Sequence, residues 1–284
     1  MPIPPRKGAG IGGFVLMVDG MPWRVTVLGS GTSTGVPVIS CDCRVCTSTN
    51  PLNHRLRSSI MLRRGETTIV VDCGADFRAQ ALKHRIRRLD ALLLTHAHSD
   101  HVAGMDELRL FNWRQGGPVT VYTSAKTLAG LRKRFDYIFE PCQKGGGVSQ
   151  IEPVLVESDP FAAAGIAVLP LPVMHGDLAV LGFRFGDFAY ITDASRVPEA
   201  TIERLAGVRW LILNALRHRP HPTHLTVEQA VAIARRVGAE RTWFTHITHD
   251  LDHDETNRSL PPGMSLAWDG LEFDIDAAAP MPVV

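Results

Sequence analysis

No stretch of the 284 residues approaches the roughly 20 consecutive apolar side chains that a membrane-spanning helix requires. Net charge is nearly absent too. Thirty Lys and Arg against 29 Asp and Glu leave +1, so the molecule as a whole does not attract a polyanion, and nucleic-acid binding would need a local basic face. A small charged substrate suits this balance better. Cysteine is scarce, with five in all and three of them crowded at Cys41, Cys43 and Cys46. That is not the framework of a disulfide-stapled secreted domain; metal binding is the first reading, and a cytoplasmic location the expectation. Composition shifts, low-complexity linkers and fixed-period repeats are missing from residues 22–278, which predicts one domain.

What is present is ordinary for a folded protein: 45% hydrophobic and 21% charged residues. At the N-terminus, Arg6 and Lys7 precede the apolar run 9–18 and imitate a secretory signal. The imitation is poor, because the run holds Gly10, Gly12 and Gly13 and lacks a small-x-small cleavage site. Residues 1–21 are therefore expected to be a flexible leader, with Met17 and Met21 as rival starts, and residues 279–284 a C-terminal tail.

From Trp23 onward short strands alternate with amphipathic helices, an α/β pattern. Strands are predicted over 24–28, 68–71, 91–95, 119–122, 166–173, 183–185, 189–192, 211–214 and 242–245. Helices are predicted over 75–88, with a basic solvated face at Lys83, His84, Arg85, Arg87 and Arg88, over 126–135, and over 227–237. Thr226 and Gln229 are spaced as a capping box for the last of these. Residues 266–273 around Asp269-Gly270 carry a hairpin signal. The Gly29-Ser-Gly31-Thr-Ser-Thr-Gly35 loop is not a dinucleotide fingerprint, since Val36-Pro37-Val38 continues extended instead of opening a helix. Gly145-Gly-Gly147 reads as a surface loop.

Thr95-His96-Ala97-His98-Ser99-Asp100-His101 carries the strongest chemical signal: three imidazoles and a carboxylate directly after an apolar strand. Burying such a group without a partner is costly. Alternation puts His96 and His98 on one side of the turn, and Asp100 and His101 enter the following helix, so two adjacent divalent ions can be served. Three more strands end in a ligand-type residue: His175, Asp193 and His246. Active-site residues of α/β folds gather on loops at one sheet edge. Asp72 ends its strand likewise and can orient a ligand histidine.

This ordered series resembles the metallo-β-lactamase superfamily, which implies an αββα sandwich with metals at one edge. The resemblance assigns His96, His98 and His175 to one metal, Asp100, His101 and His246 to the other, and Asp193 as the bridge. Gly29-Ser-Gly31-Thr-x-x-Gly35-Val-Pro37, the Cys41-x-Cys43-x-x-Cys46 run, Thr245-His246-Ile-x-His249 and Asp269-Gly270 together resemble the PhnP-like phosphoribosyl cyclic phosphate phosphodiesterases of phosphonate breakdown. That resemblance implies cleavage of a small, cyclic phosphodiester by a hydroxide held between two catalytic divalent ions, Zn or Mn. Asp100 would help place the hydroxide.

It also implies a structural zinc on Cys41, Cys43, Cys46 and His249, with Cys73 and Cys142 left to packing. His224 becomes a phosphate-contacting or proton-donating residue. Arg217, His218, Arg219 and His221 precede it as a cationic loop that can clamp phosphate oxygens.

Two other readings stand beside this one. A transfer RNA 3′-processing endonuclease shares the motifs but carries a long arm before the bridging aspartate, and only 17 residues separate His175 from Asp193. A non-catalytic metal or nucleotide sensor would be expected to lack a ligand, and none is missing. The expected partner is a small phosphodiester, with no membrane, no stable nucleic-acid partner, and a homodimer allowed.

Overall fold

Alternate burial along the strands builds the layers. Val25, Val27, Ile60, Leu62, Ile69 and Val71 share one buried cluster, whereas Met61 and Val70, between them in sequence, belong to a second cluster on the opposite face. Period-two side chains with both faces apolar demand cover on both sides. The computed structural model, which describes residues 21–140 and 147–282, meets that demand with two sheets packed face to face and helices outside each. The leader expected before residue 21, Cys142 and most of the Gly145-Gly-Gly147 loop lie outside the described residues.

In the first sheet β1 (Trp23–Gly29), β2 (Ser59–Arg64) and β3 (Thr67–Val71) are antiparallel neighbours, and β4 (Ala91–Leu93), β5 (Val119–Thr123) and β6 (Ile151–Leu155) continue from β3 in parallel. In the second, β7 (Phe161–Ala163), β8 (Ile166–His175), β9 (Leu178–Phe185) and β10 (Phe188–Ile191) are antiparallel. There β11 (Trp210–Asn214), β12 (Arg241–Thr245) and β13 (Met264–Leu266) follow β10 in parallel. β14 (Glu272–Ile275) returns to the edge of the first sheet beside β1.

The inter-sheet core is rich in aromatics, including Phe183, Phe185, Phe188 and Tyr190. α1 (Phe77–Lys83), α2 (Ser99–Val102), α3 (Leu108–Gln115), α4 (Ala125–Arg134) and α5 (Asp136–Phe139) cover the first sheet through Phe77, Val102, Leu108, Leu131 and Ile138. α6 (Glu199–Arg204) and α7 (Val227–Val237) cover the second, and α8 (His253–Ser259) packs beside β13. The fold is an αββα sandwich in one domain.

Two elements differ from the sequence expectation. The basic helix expected over 75–88 stops at Lys83, because Arg85 turns left-handed (φ 51°) and the Ile86 and Arg85 N–H groups bond back to the Ala81 and Leu82 carbonyls, closing a Schellman cap. Residues 266–273 do not form a hairpin. β13 and β14 belong to different sheets, and the Asp269 carboxylate between them is captured by the Ser30 N–H and hydroxyl and by the Leu56 N–H. The cross-link to the loops flanking β1 and β2 outcompetes a local turn.

Candidate metal centre

Parallel strands deliver their C-terminal ends to one edge. Asp72 follows β3, His96 follows β4, His175 ends β8, Asp193 follows β10 and His246 follows β12. The backbone turns there are strained: Asp72 (φ 63°), Asp193 (φ 49°) and His246 (φ 60°) all occupy the left-handed region, at about 1–2 kcal/mol each. Non-glycine residues hold such angles where the surroundings over-determine them, typically at functional sites. Gly74 is fixed by the same crowding, since a Cβ there would lie 1.9 Å from the Asp100 carbonyl oxygen.

The ligand atoms of His96, His98 and His175 lie within 4.8 Å of one another, and so do those of Asp100, His101, Asp193 and His246. Asp193 joins the two groups. Its Oδ1 faces His101 Nε2 and His246 Nε2, each at 3.2 Å, while Oδ2 faces His96 Nε2 at 3.8 Å and His175 Nε2 at 3.9 Å. Asp100 Oδ2 stands 3.2 Å from His101 Nε2 and 3.6 Å from His246 Nε2.

Hydrogen bonds on the far side of the rings set their tautomers. Thr95 Oγ1 gives its proton to Asp72 Oδ2 (2.8 Å), so it must accept from His96 Nδ1 (3.0 Å), which leaves His96 Nε2 with a lone pair pointing inward. His101 Nδ1 donates to Asp72 Oδ2 (2.7 Å) and His175 Nδ1 to the Thr223 carbonyl (2.8 Å), with the same consequence. The buried Nε2 atoms of His96, His101 and His246 have no hydrogen-bond partner among the described residues. Orphaned inward lone pairs around a buried carboxylate fit divalent cations and little else.

Before a cation enters, protons on the imidazoles balance the carboxylates, and a divalent ion would displace the one on His101 Nε2. Burial alone would raise Asp193, but the His246 and His101 imidazoles overrule it and hold the carboxyl well below its ordinary range. Burial would lower His101, but Asp193 and Asp72 push it well above. Burial lowers His96, and the neighbouring His101 adds to that.

His224 is buried, its ring stacked on His246 at 4.6 Å and 4.7 Å from His175. Burial, with His246 beside it, drives it down to about 2. A cavity of about 280 Å³ opens next to it, lined by Thr32, Ser33, Thr34, Arg217, Arg219 and His221 among others. Arg217 and Arg219 share Asp250 there, at 3.8 and 3.2 Å. His218 lies elsewhere in the loop, exposed and bonded to Glu228 at 2.6 Å. Sequence reasoning missed Thr223, whose contribution is a backbone carbonyl without a side-chain signature, and Asp250, which partly neutralises the arginines of the cationic loop.

Cys41, Cys43 and Cys46 surround His249 Nδ1 at 3.2, 3.4 and 3.4 Å. The Cys46 N–H bonded to Cys43 lowers that thiol to about 6, while burial pushes Cys46 up to about 11. Cys73 is fully buried.

Clustered imidazoles and carboxylates at one edge of an αββα sandwich define a metal-dependent hydrolase. The Beta-lactamase superfamily domain matches residues 67–247. The crystal structure of a diphosphatase from the PhnP family superposes with a TM-score of 0.84 at 44% identity, covering 90% of this chain and 98% of that one. The chain belongs to the β-lactamase superfamily and, within it, to the PhnP family. A ribonuclease Z from a Mycobacterium species is 28% identical over 254 residues, 78% of this chain and 83% of that protein. An octanoyltransferase from Porphyromonas gingivalis is 40% identical over 257 residues, which are 89% of this chain; the chain spans 52% of that protein's length. No described helix is long and apolar enough to cross a membrane.

Proposed function

We propose that the chain is a cytoplasmic phosphodiesterase acting on a small cyclic phosphodiester such as phosphoribosyl cyclic phosphate, without a stable nucleic-acid or membrane partner. The observation that carries this reading is Asp193 presenting one oxygen to each of two ligand groups. His96, His98 and His175 would hold one ion, Asp100, His101 and His246 a second, Zn or Mn, and Cys41, Cys43, Cys46 and His249 a structural Zn. When bound, the catalytic pair would supply a water of lowered pKa and neutralise charge on phosphoryl oxygens.

The chain's own residues do the rest. Thr95, Asp72 and the Thr223 carbonyl lock three imidazoles in one tautomer, so no reorganisation is needed as charge develops. Asp100 orients the attacking water. His224, kept neutral by its burial, gives an N–H hydrogen bond to the departing oxygen. Arg217, Arg219 and His221 embrace the non-reacting part of the substrate, and the modest cavity favours a small ester over a transfer RNA precursor. The likeness to a diphosphatase supports a second reading, hydrolysis of a phosphoanhydride at the same centre.

Turnover of phosphoribosyl cyclic phosphate, a cyclic nucleotide, a nucleoside diphosphate sugar and a precursor transfer RNA, compared on one preparation, separates these readings. Preference for the cyclic sugar phosphate is expected, and faster cleavage of the diphosphate would replace it with the second reading. His224→Ala is expected to keep its metal content while kcat drops by about 100-fold or more. Unchanged turnover of bis(p-nitrophenyl) phosphate would remove His224 from the mechanism.

A further inference from the structure

The Schellman cap at the end of α1 places at its left-handed position a residue type that seldom sits there. Glycine is the usual occupant, because a Cβ is strained at this angle, yet Arg85 holds φ 51°. Three of the other non-glycine residues with positive φ among the described ones are Asp72, Asp193 and His246, all in the metal centre. Ser40 and Ala164 share the angle without belonging to the centre, so what singles out Arg85 is where its side chain sits.

The Arg85 guanidinium lines a depression of about 230 Å³ together with Arg63, Arg87, Arg88, Glu66 and Thr68. The depression sits where β3 begins, the opposite end of that strand from Asp72, so it is separate from the centre by the strand's length, roughly 15 Å. Four arginines face one glutamate there, in a protein whose formal charge is only +1. Arg88 Nε is bonded to Asp90 at 2.6 Å, and Arg63 Nη2 rests against the His84 carbonyl at 3.4 Å. Arg85 and Arg87 have no carboxylate partner among the described residues and are exposed. Uncompensated guanidiniums around one small hollow repel each other until a multiply charged anion joins them, and their forked donors match phosphoryl oxygens.

We infer that Arg63, Arg85, Arg87 and Arg88 form a binding site for a phosphate dianion, distinct from the metal centre. The ligand class comprises inorganic phosphate, a soluble phosphomonoester, which phosphodiester hydrolysis itself yields, and the phosphomonoester headgroup of a lipid.

Melting temperatures of the metal-loaded full chain, Arg85→Gly and Arg87→Gln test this at constant ionic strength, with inorganic phosphate as the probe. At about 20 mM phosphate the wild type is expected to gain about 2 °C or more. Without phosphate Arg85→Gly should melt above wild type, because its cap relaxes, and Arg87→Gln should match wild type; both should lose most of the phosphate gain. Phosphate acting at the metal centre raises all three alike, and that outcome overturns the site, as does Arg85→Gly melting below wild type. Co-sedimentation with phosphatidate vesicles, and not phosphatidylcholine ones, that depends on Arg85 assigns the dianion to a lipid; its absence assigns it to a soluble phosphate.

Discussion

Asp72 touches no expected substrate atom, yet two imidazoles depend on it. Its carboxylate accepts from the Thr95 N–H, the Thr95 hydroxyl and His101 Nδ1, and through Thr95 it fixes His96 as well. Asp72→Asn keeps the shape but turns one acceptor into a donor facing donors. Metal affinity, read by competition with a chelator, should fall about 10- to 100-fold, with the fold intact by circular dichroism; an unchanged affinity would refute the orienting role. Asp269 supplies a pH test. Burial raises it to about 6, against the Leu56 and Ser30 hydrogen bonds that lower it. The native state thus holds this proton more tightly than the unfolded chain, whose carboxyl titrates near its ordinary value. The stability it adds is complete below about pH 4 and lost as pH rises through about 6, on the order of 3 kcal/mol. Denaturant midpoints of Asp269→Asn should therefore decline less than those of the wild type between pH 4 and 7. Parallel curves would mean that Asp269 is ionised throughout.

Elements show why part of the molecule was legible from sequence and part was not. The capping box at Thr226 and Gln229 forms, with Thr226 Oγ1 accepting from the Gln229 N–H and Gln229 Oε1 from the Thr226 N–H, because both partners lie within one turn. The motif from His96 to His101 is similarly local, and its distant companions were readable because each ends a strand. The Asp269-Gly270 signal misled for the opposite reason: β13 and β14 found better partners in β12 and β1, a choice made by strands far away in sequence. β6 and β7 carry mixed burial and little apolar alternation, so no strand was predicted there. The fate of Arg85 could not be read either, since helical periodicity runs through the residue where the Schellman cap intervenes. Since the N-cap Thr226 lies two residues after the buried His224, the cap of α7 also steadies the cavity. Thr226→Ala is expected to cost about 1 kcal/mol, a fall of about 2–4 °C in melting temperature, and to raise KM more than it lowers kcat. An equal fall in kcat and kcat/KM would show that the cap acts on the chemistry itself.

For the whole molecule, the decisive join is between the sheets at the edge that carries the centre. The loop from β1 to β2 belongs to the first sheet and brings Cys41, Cys43 and Cys46; the loop after β12 belongs to the second and brings His246 and, three residues on, His249. A metal on the cysteines and His249 would cross-link the sandwich beside the catalytic ligands, as a closed tetrahedral site does. It would not act alone. The buried Arg55 donates to the Thr248 and Leu251 carbonyls, and Asn53 Nδ2 to Asp252 at 2.8 Å, so the same loops are tied by hydrogen bonds. Losing the metal should therefore loosen the joint without unfolding the chain. Cys46→Ser is expected to bind one metal fewer per chain by elemental analysis, to melt lower by about 5 °C, and to lose kcat because His246 shares the loosened loop. A variant with unchanged metal content would deny the cross-link. One that loses the metal but keeps its melting temperature would leave Arg55 and Asn53 as the fastening, and His246 would then owe its position to hydrogen bonds between the sheets.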